Sequence, residues 1–87
     1  MQQFQLFLND ERAFLEYRLK DDMIVLMHTE VPEKLGGKGI ASALAAHAFN
    51  YAREKHLRVK IYCPFVLTWI KRHPEQNDIV VPPREHQ

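Results

Sequence analysis

Apolar and polar residues alternate over the first thirty positions of the chain, and then the period changes. Gln3 to Leu8 reads Gln-Phe-Gln-Leu-Phe-Leu, which puts Phe4, Leu6 and Leu8 on one face of a strand. Arg12 to Lys20 alternates again, with Ala13, Leu15, Tyr17 and Leu19 against Phe14, Glu16 and Arg18. Met23 to Val31 is apolar on both faces over its first half, the pattern of a central strand covered on two sides. Asn9-Asp10-Glu11 and Asp21-Asp22 interrupt the pattern with turn-forming residues, so these three strands are expected to form an antiparallel meander.

Pro32 cannot donate to a sheet ladder and marks the limit of the third strand. Beyond it Ile40, Ala41, Leu44, Ala48, Tyr51 and Ala52 recur at helical spacing, predicting an amphipathic helix from about Lys38 to Lys55. Arg53 and Lys55 suit the negative end of its dipole. Arg58 to Cys63 returns to alternation, with Val59, Ile61 and Cys63 on one face and Lys60 and Tyr62 on the other. A strand reached through a helix is expected to lie parallel to the strand before it, in a right-handed crossover. Pro64, favoured at a first helical position, opens a short second helix with Phe65, Val66, Trp69 and Ile70 on its buried side. Lys71-Arg72 is its basic end and His73-Pro74 its stop. The tail from Glu75 is polar except for Ile79-Val80-Val81. Pro82-Pro83 argues against regular structure further on, and the tail from about residue 82 is expected to be mobile. The fold class is α+β: a three-strand meander, a helix crossover to a parallel fourth strand, and a short C-terminal helix.

Composition narrows the class of protein. At 87 residues the chain is expected to form one small domain over residues 1–87, close to the size at which a core only just suffices. Its 46% apolar and 26% charged content is that of an ordinary globular protein. A formal net charge of +1 makes no electrostatic case for nucleic acid or an anionic membrane as partner. The single cysteine, Cys63, excludes an internal disulfide framework and fits a reducing compartment, so the cytoplasm is the expected location. No apolar run approaches the roughly 18 residues of a membrane span, and the N-terminus has no basic-then-apolar signal pattern. His47 and His56 have no partner at ligand spacing and read as surface or helix-end residues, so no metal is expected.

The chemistry-bearing stretch is Thr29 to Ala41, which contains all three glycines: Gly36, Gly37 and Gly39. Glycine accepts positive φ and lets backbone approach a ligand closely. Just before a helix start, such a loop aims free N–H groups and the positive end of the dipole at one point, as an anion site requires. A strand-to-helix connection that merely needs flexible backbone has the same composition. Two phosphate motifs are excluded. A P-loop needs a glycine where Pro32 stands and a hydroxyl where Gly39 stands; a dinucleotide fingerprint needs a glycine where Ser42 stands.

Lys34-Leu-Gly-Gly-Lys-Gly39 resembles the Arg/Gln-x-x-Gly-x-Gly/Ala signature of the GNAT-type N-acetyltransferase superfamily, which holds the pyrophosphate of acetyl-coenzyme A. Gly37 and Gly39 match its small positions, and Lys34 stands where Arg or Gln is usual. With His28-Thr-Glu-Val-Pro, Tyr51-Ala-Arg-Glu, Cys63-Pro-Phe-Val and Trp69-Ile…His73-Pro-Glu, the chain resembles the short Yjdj-type GNAT-like domains over about residues 4 to 81. The resemblance implies acetyl-coenzyme A in a cleft where strands three and four part. Leu35, Gly36, Gly37, Lys38, Gly39 and Ile40 would offer backbone N–H groups to the pyrophosphate, and Lys34 and Lys38 would add charge. The edge of strand three from Thr29 to Val31 would pair with the pantetheine amides, which brings the thioester near His28 and Cys63.

Acetyl transfer to an amine has two routes here. In direct transfer His28 or Glu30 takes the proton of the attacking amine. In a two-step route Cys63, weighted by the resemblance, first carries the acetyl group; a buried, cleft-lining cysteine has the same pattern. Tyr62 and Trp69 read as packing residues. A bare turn at residues 9–11 and a short tail leave the acceptor side shallow. That suits a macromolecular amine, and equally a non-catalytic coenzyme A-binding or protein-interaction module.

Overall fold

The computed structural model describes residues 2–37 and 39–82. Strands β1 (Gln2–Leu8), β2 (Glu11–Lys20) and β3 (Met23–Glu30) run antiparallel in sequence order, and β4 (Arg58–Ile61) lies parallel to β3. A 3-10 turn (Glu33–Leu35) and helix α1 (Ile40–Glu54) connect β3 to β4, and helix α2 (Pro64–Lys71) and a 3-10 stretch (Pro74–Ile79) follow. The expected α+β meander with its parallel crossover strand is therefore present. The β1–β2 hairpin turns without glycine, because Asn9 (φ 52°) and Asp10 (φ 66°) take the left-handed conformation that short polar side chains tolerate.

One core lies between the sheet and the helices. Phe4, Leu15, Tyr17, Ile24 and Leu26 from the sheet meet Leu44, Ala48, Phe49 and Ala52 of α1, with Val66 and Trp69 of α2 at one end. The buried stripe of α1 is wider than the spacing predicts, because Ala45 and Phe49 are fully buried too. Burying a phenylalanine or leucine contributes about 1.5–3 kcal/mol, so Phe49 is a principal contributor in a domain of this size. At the outer end of the sheet Phe4 stacks on Tyr17 and takes the His47 and Tyr51 rings on its edges. Burial pushes the Tyr17 phenol above its usual range, and the charge of Tyr51 adds to the effect.

The expectation that β3 is covered on both sides is corrected. α1, α2 and Leu35 all join the core on one face, whereas Val25 points to the other side and lies outside that core. Val25 is nevertheless only 7% exposed, because its ladder neighbours Arg18 and Lys60 flank it with long aliphatic stems. Tyr62, expected to pack, is 54% exposed and has the Lys60 ammonium over its ring at 5.3 Å.

Two irregularities shape the end of β3. The pairing Tyr17↔Leu26 is followed by Glu16↔His28, so Met27 is an extra residue, a β-bulge. The bulge switches the faces: Thr29 pairs with core-facing Leu15, while His28 and Glu30 pair with Glu16 and Phe14 on the open face. β4 also stops sooner than the alternation predicts. The N–H groups of both Tyr62 and Cys63 donate to the Leu26 carbonyl, at 2.9 and 3.1 Å, and the β3–β4 ladder ends there while β3 runs on to Glu30.

The tail is more ordered than its polarity predicts. Val80 bridges Val59, and the Val81 N–H donates to the Val59 carbonyl at 2.8 Å, which covers the free edge of β4. Arg53 reaches across to Asp78 (2.6 and 3.0 Å) and to the Gln76 amide oxygen (2.9 and 3.1 Å). Residues 83–87, where mobility is expected, lie outside the described residues.

Candidate functional site

A cavity of about 490 Å³ opens between the loop that follows β3 and helix α2, which follows β4. Leu35, Gly36, Gly37 and Gly39 of the glycine loop and Ile40 to Ser42 of the first turn of α1 form one wall; Val31 adjoins them, and α2 forms the opposite wall.

The loop wall is built from the backbone. Leu35 is buried in the core and anchors the 3-10 turn, while the Leu35 and Gly36 N–H groups donate to the Pro32 and Glu33 carbonyls at 2.8 and 3.0 Å. Gly37 (φ 77°) and Gly39 (φ 72°) then turn the chain through the left-handed region, and a Cβ at either would meet no atom within 4 Å. α1 starts at Ile40 with Gly39 as its cap and no side chain capping it. Among the described residues, the N–H groups of Gly37, Gly39, Ile40, Ala41 and Ser42 have no backbone acceptor. These open donors and the positive end of a 15-residue helix face the same side of the cavity, which suits an anion. The donor set therefore starts two residues later than Leu35, because the 3-10 turn uses the first two N–H groups.

The α2 wall is apolar at one end and basic at the other. Pro64 fixes the start of the helix, so Phe65, Thr68, Trp69 and Arg72 fall on the face that lines the cavity, with His73 beside them. The Trp69 indole N–H donates to the Ser42 hydroxyl at 2.9 Å, tying α2 to the first turn of α1. His73 stacks on Trp69, with ring centroids 4.0 Å apart, and its Nδ1 donates to the Trp69 carbonyl at 2.8 Å. Ser42, Trp69, Arg72 and His73 were not site candidates from the sequence. The i, i+3, i+4, i+7 spacing of 65, 68, 69 and 72 marks a helix face, but only the packing of α2 on α1 aims that face at the loop.

The residues expected to form the site divide into four groups. Val31, Leu35, Gly36, Gly37, Gly39 and Ile40 line the cavity, and Lys38 lies outside the described residues. Lys34 does not line it; its ammonium sits 3.8 Å from the Glu11 carboxylate and the side chain is 83% exposed. Thr29 and Cys63 meet each other on the core side, Oγ1 to Sγ at 3.1 Å, and Cys63 is only 2% exposed. His28 and Glu30 stand on the open face, where His28 Nε2 and Glu30 Oε1 are 3.3 Å apart and the His28 ring lies edge-on to Phe14. The fold brings His28 to Glu30 and Thr29 to Cys63, but keeps the two pairs on opposite faces of the sheet.

A three-strand meander, a glycine loop leading into a helix and a parallel fourth strand make up a GNAT-like α+β fold. A sequence model of the GCN5-related N-acetyl-transferase family matches residues 3–79, and the chain belongs to that family. It is similar to the protein NATD1 of cattle (39% identical over 75 residues, 83% of this chain and 66% of that protein) and of mouse (37%, 83% and 68%). The chain thus spans about two thirds of the length of these relatives. It is also similar to the NMR solution structure of a GCN5-like protein from Staphylococcus aureus, with a TM-score of 0.68 and 28% identity over 86% of this chain and 74% of that one. Among the described residues no helix is long and apolar enough to cross a membrane, and no three His, Cys, Asp or Glu side chains are grouped to hold a metal ion.

Proposed function

We propose that the protein is a minimal N-acetyltransferase that binds acetyl-coenzyme A in the 490 Å³ cavity and passes the acetyl group to an amine. The observation that carries this is the set of open N–H groups of Gly37, Gly39, Ile40, Ala41 and Ser42 at the helix N-terminus, with the cavity running from them to α2. The cradle fits a diphosphate, because glycines at 37 and 39 leave the approach open where a Cβ would project. Val31, Leu35 and Phe65 offer an apolar lining beside it for the pantetheine arm.

Acetyl transfer forms a C–N bond, breaks the C–S bond of the thioester, and moves one proton from the amine to the departing thiolate. In this chain the amine approaches from the open face, through the gap beyond Leu26 and Ile61, and there it meets the His28–Glu30 pair. The His28 Nε2–H donates to Glu30, which holds the ring, and the other ring nitrogen, Nδ1, takes the amine proton. Direct transfer is favoured over a cysteine-bound acetyl group because the Cys63 sulfur is buried and bonded to Thr29 rather than open to the cavity. The open face accommodates a macromolecular amine, and the single cysteine suits a reducing, cytoplasmic setting.

Titration calorimetry with acetyl-coenzyme A, followed by thiol release in the presence of a panel of amines, tests the proposal. Saturable binding with amine-dependent thiol release is expected. Binding without release from any amine supports a coenzyme A-binding module instead, and no binding overturns both.

A further inference from the structure

An anion site built only from backbone donors leaves two or more phosphate charges to partial dipoles. Of the two lysines expected to neutralise them, Lys38 lies outside the described residues, and Lys34 is turned towards Glu11 and does not line the cavity. Among the described residues that do line it, Arg72 is the one side chain with a permanent positive charge, and no described carboxylate pairs with it. His73 is the one lining residue that can acquire such a charge.

Their placement is determined by two contacts. The Trp69–Ser42 hydrogen bond ties α2 to the first turn of α1, beside the open N–H groups. Arg72 follows three residues later, one helical turn along the same face, so a long guanidinium side chain starts next to the anchor and lines the same cavity. The His73 ring is held flat on Trp69 by stacking and by its Nδ1 bond to the Trp69 carbonyl, which leaves Nε2 as its uncommitted nitrogen.

Resting on the acetyl-coenzyme A reading, we propose that Arg72, assisted by His73, is the cationic arm of the site and binds a coenzyme A phosphate from the side opposite the glycine loop. The guanidinium offers a planar fork of donors that matches two phosphate oxygens, geometry that the Lys34 ammonium lacks wherever it points. Among the described residues that line the cavity, the permanent charge is carried from α2, and the Trp69–Ser42 bond couples the two walls.

The test compares ligands with and without phosphate on four proteins: the unchanged chain, Arg72→Gln, Arg72→Lys and Lys71→Gln. Arg72→Gln is expected to weaken acetyl-coenzyme A about 10- to 100-fold, while acetyl-pantetheine, which has no phosphate, binds it as it binds the unchanged chain. Arg72→Lys recovers part of the loss. Lys71→Gln, one residue away and outside the cavity lining, leaves the affinity unaltered. Dephospho-coenzyme A locates the contact: a penalty that persists with it assigns the diphosphate, and one that disappears assigns the 3′-phosphate. Equal affinity of Arg72→Gln and the unchanged chain for acetyl-coenzyme A overturns the proposal. So does an equal loss for acetyl-pantetheine, or an equal loss in Lys71→Gln. If the unchanged chain itself does not bind acetyl-coenzyme A, the underlying reading fails as well. Unchanged far-UV circular dichroism and Trp69 fluorescence in each variant separate these outcomes from misfolding.

Discussion

The Trp69 indole N–H donates to the Ser42 hydroxyl at 2.9 Å, and this bond joins the only two α-helices among the described residues at the mouth of the cavity. Ser42→Ala leaves a buried N–H without its acceptor, a loss of about 1–2 kcal/mol. That is a large fraction of the stability available to a domain of 87 residues. Urea unfolding of Ser42→Ala, Trp69→Phe and the double variant forms a cycle in which the two losses add to more than the double variant shows. Strict additivity would mean that the bond contributes nothing. Acetyl-coenzyme A affinity is expected to fall in Ser42→Ala as well, since the α2 wall loses its tie.

Gly37 stands at φ 77°, where a β-branched residue is strained, and its absent Cβ would point into open space at the cavity. Gly37→Val is expected to fold with a loss of about 1–2 kcal/mol and to gain no thermal stabilisation from acetyl-coenzyme A. Gly37→Asn, whose side chain tolerates the left-handed region, should lose less stability. A folded Gly37→Val that is still fully stabilised by the ligand would displace the phosphates from this loop.

The two faces of the sheet give opposite expectations for His28 and Cys63. His28→Ala and Glu30→Gln should lower kcat about 100-fold while leaving the acetyl-coenzyme A Kd unchanged, because neither residue lines the cavity. Cys63→Ala should turn over substrate and Cys63 should carry no acetyl adduct by mass spectrometry. Its thiol should react with iodoacetamide far more slowly in the native protein than in urea, given its burial and its bond to Thr29. An acetyl group on Cys63 that forms and decays at the rate of turnover would reverse the choice of route.

Arg53 and Asp78 latch the 3-10 tail to the end of α1. Hydrogen bonds from the Arg53 guanidinium hold the Asp78 carboxyl below the usual carboxylate range. A carboxyl lowered in the folded state contributes stability above its unfolded value of about 4 and loses it as pH falls through the folded value. The difference in urea midpoint between the unchanged chain and Asp78→Asn is therefore expected at neutral pH and should vanish in acid. Both groups are exposed, so the effect is modest. Hydrogen exchange at the Val81 amide, bonded to Val59, should speed up in Asp78→Asn, and equal exchange would show that the tail is held without the latch.

Alternation and period, which are local properties, determined the elements and their order. Phe4, Leu15 and Tyr17 could only be strand residues facing one core, and Pro32, the glycines and Pro64 could only be boundaries. The stretch from Gly36 to Ile40 was legible as a glycine loop leading into a helix, because the positive φ of Gly37 and Gly39 and a helix start both leave marks in composition. Three things were not legible. The single extra residue at Met27 leaves the alternation of Ile24, Leu26, His28 and Glu30 intact in the sequence but turns the last two onto the open face, because pairing rather than spacing sets which way a side chain points. Phe49 and Ala45 are buried beyond the predicted stripe, and the Phe49 ring packs against Trp69 of α2 at 5.3 Å between centroids, a contact that only the docking of the two helices makes. The second wall of the cavity exists only through the docking of α2 on α1. Trp69 and Ser42 are 27 positions apart, and no local rule reports a contact at that separation.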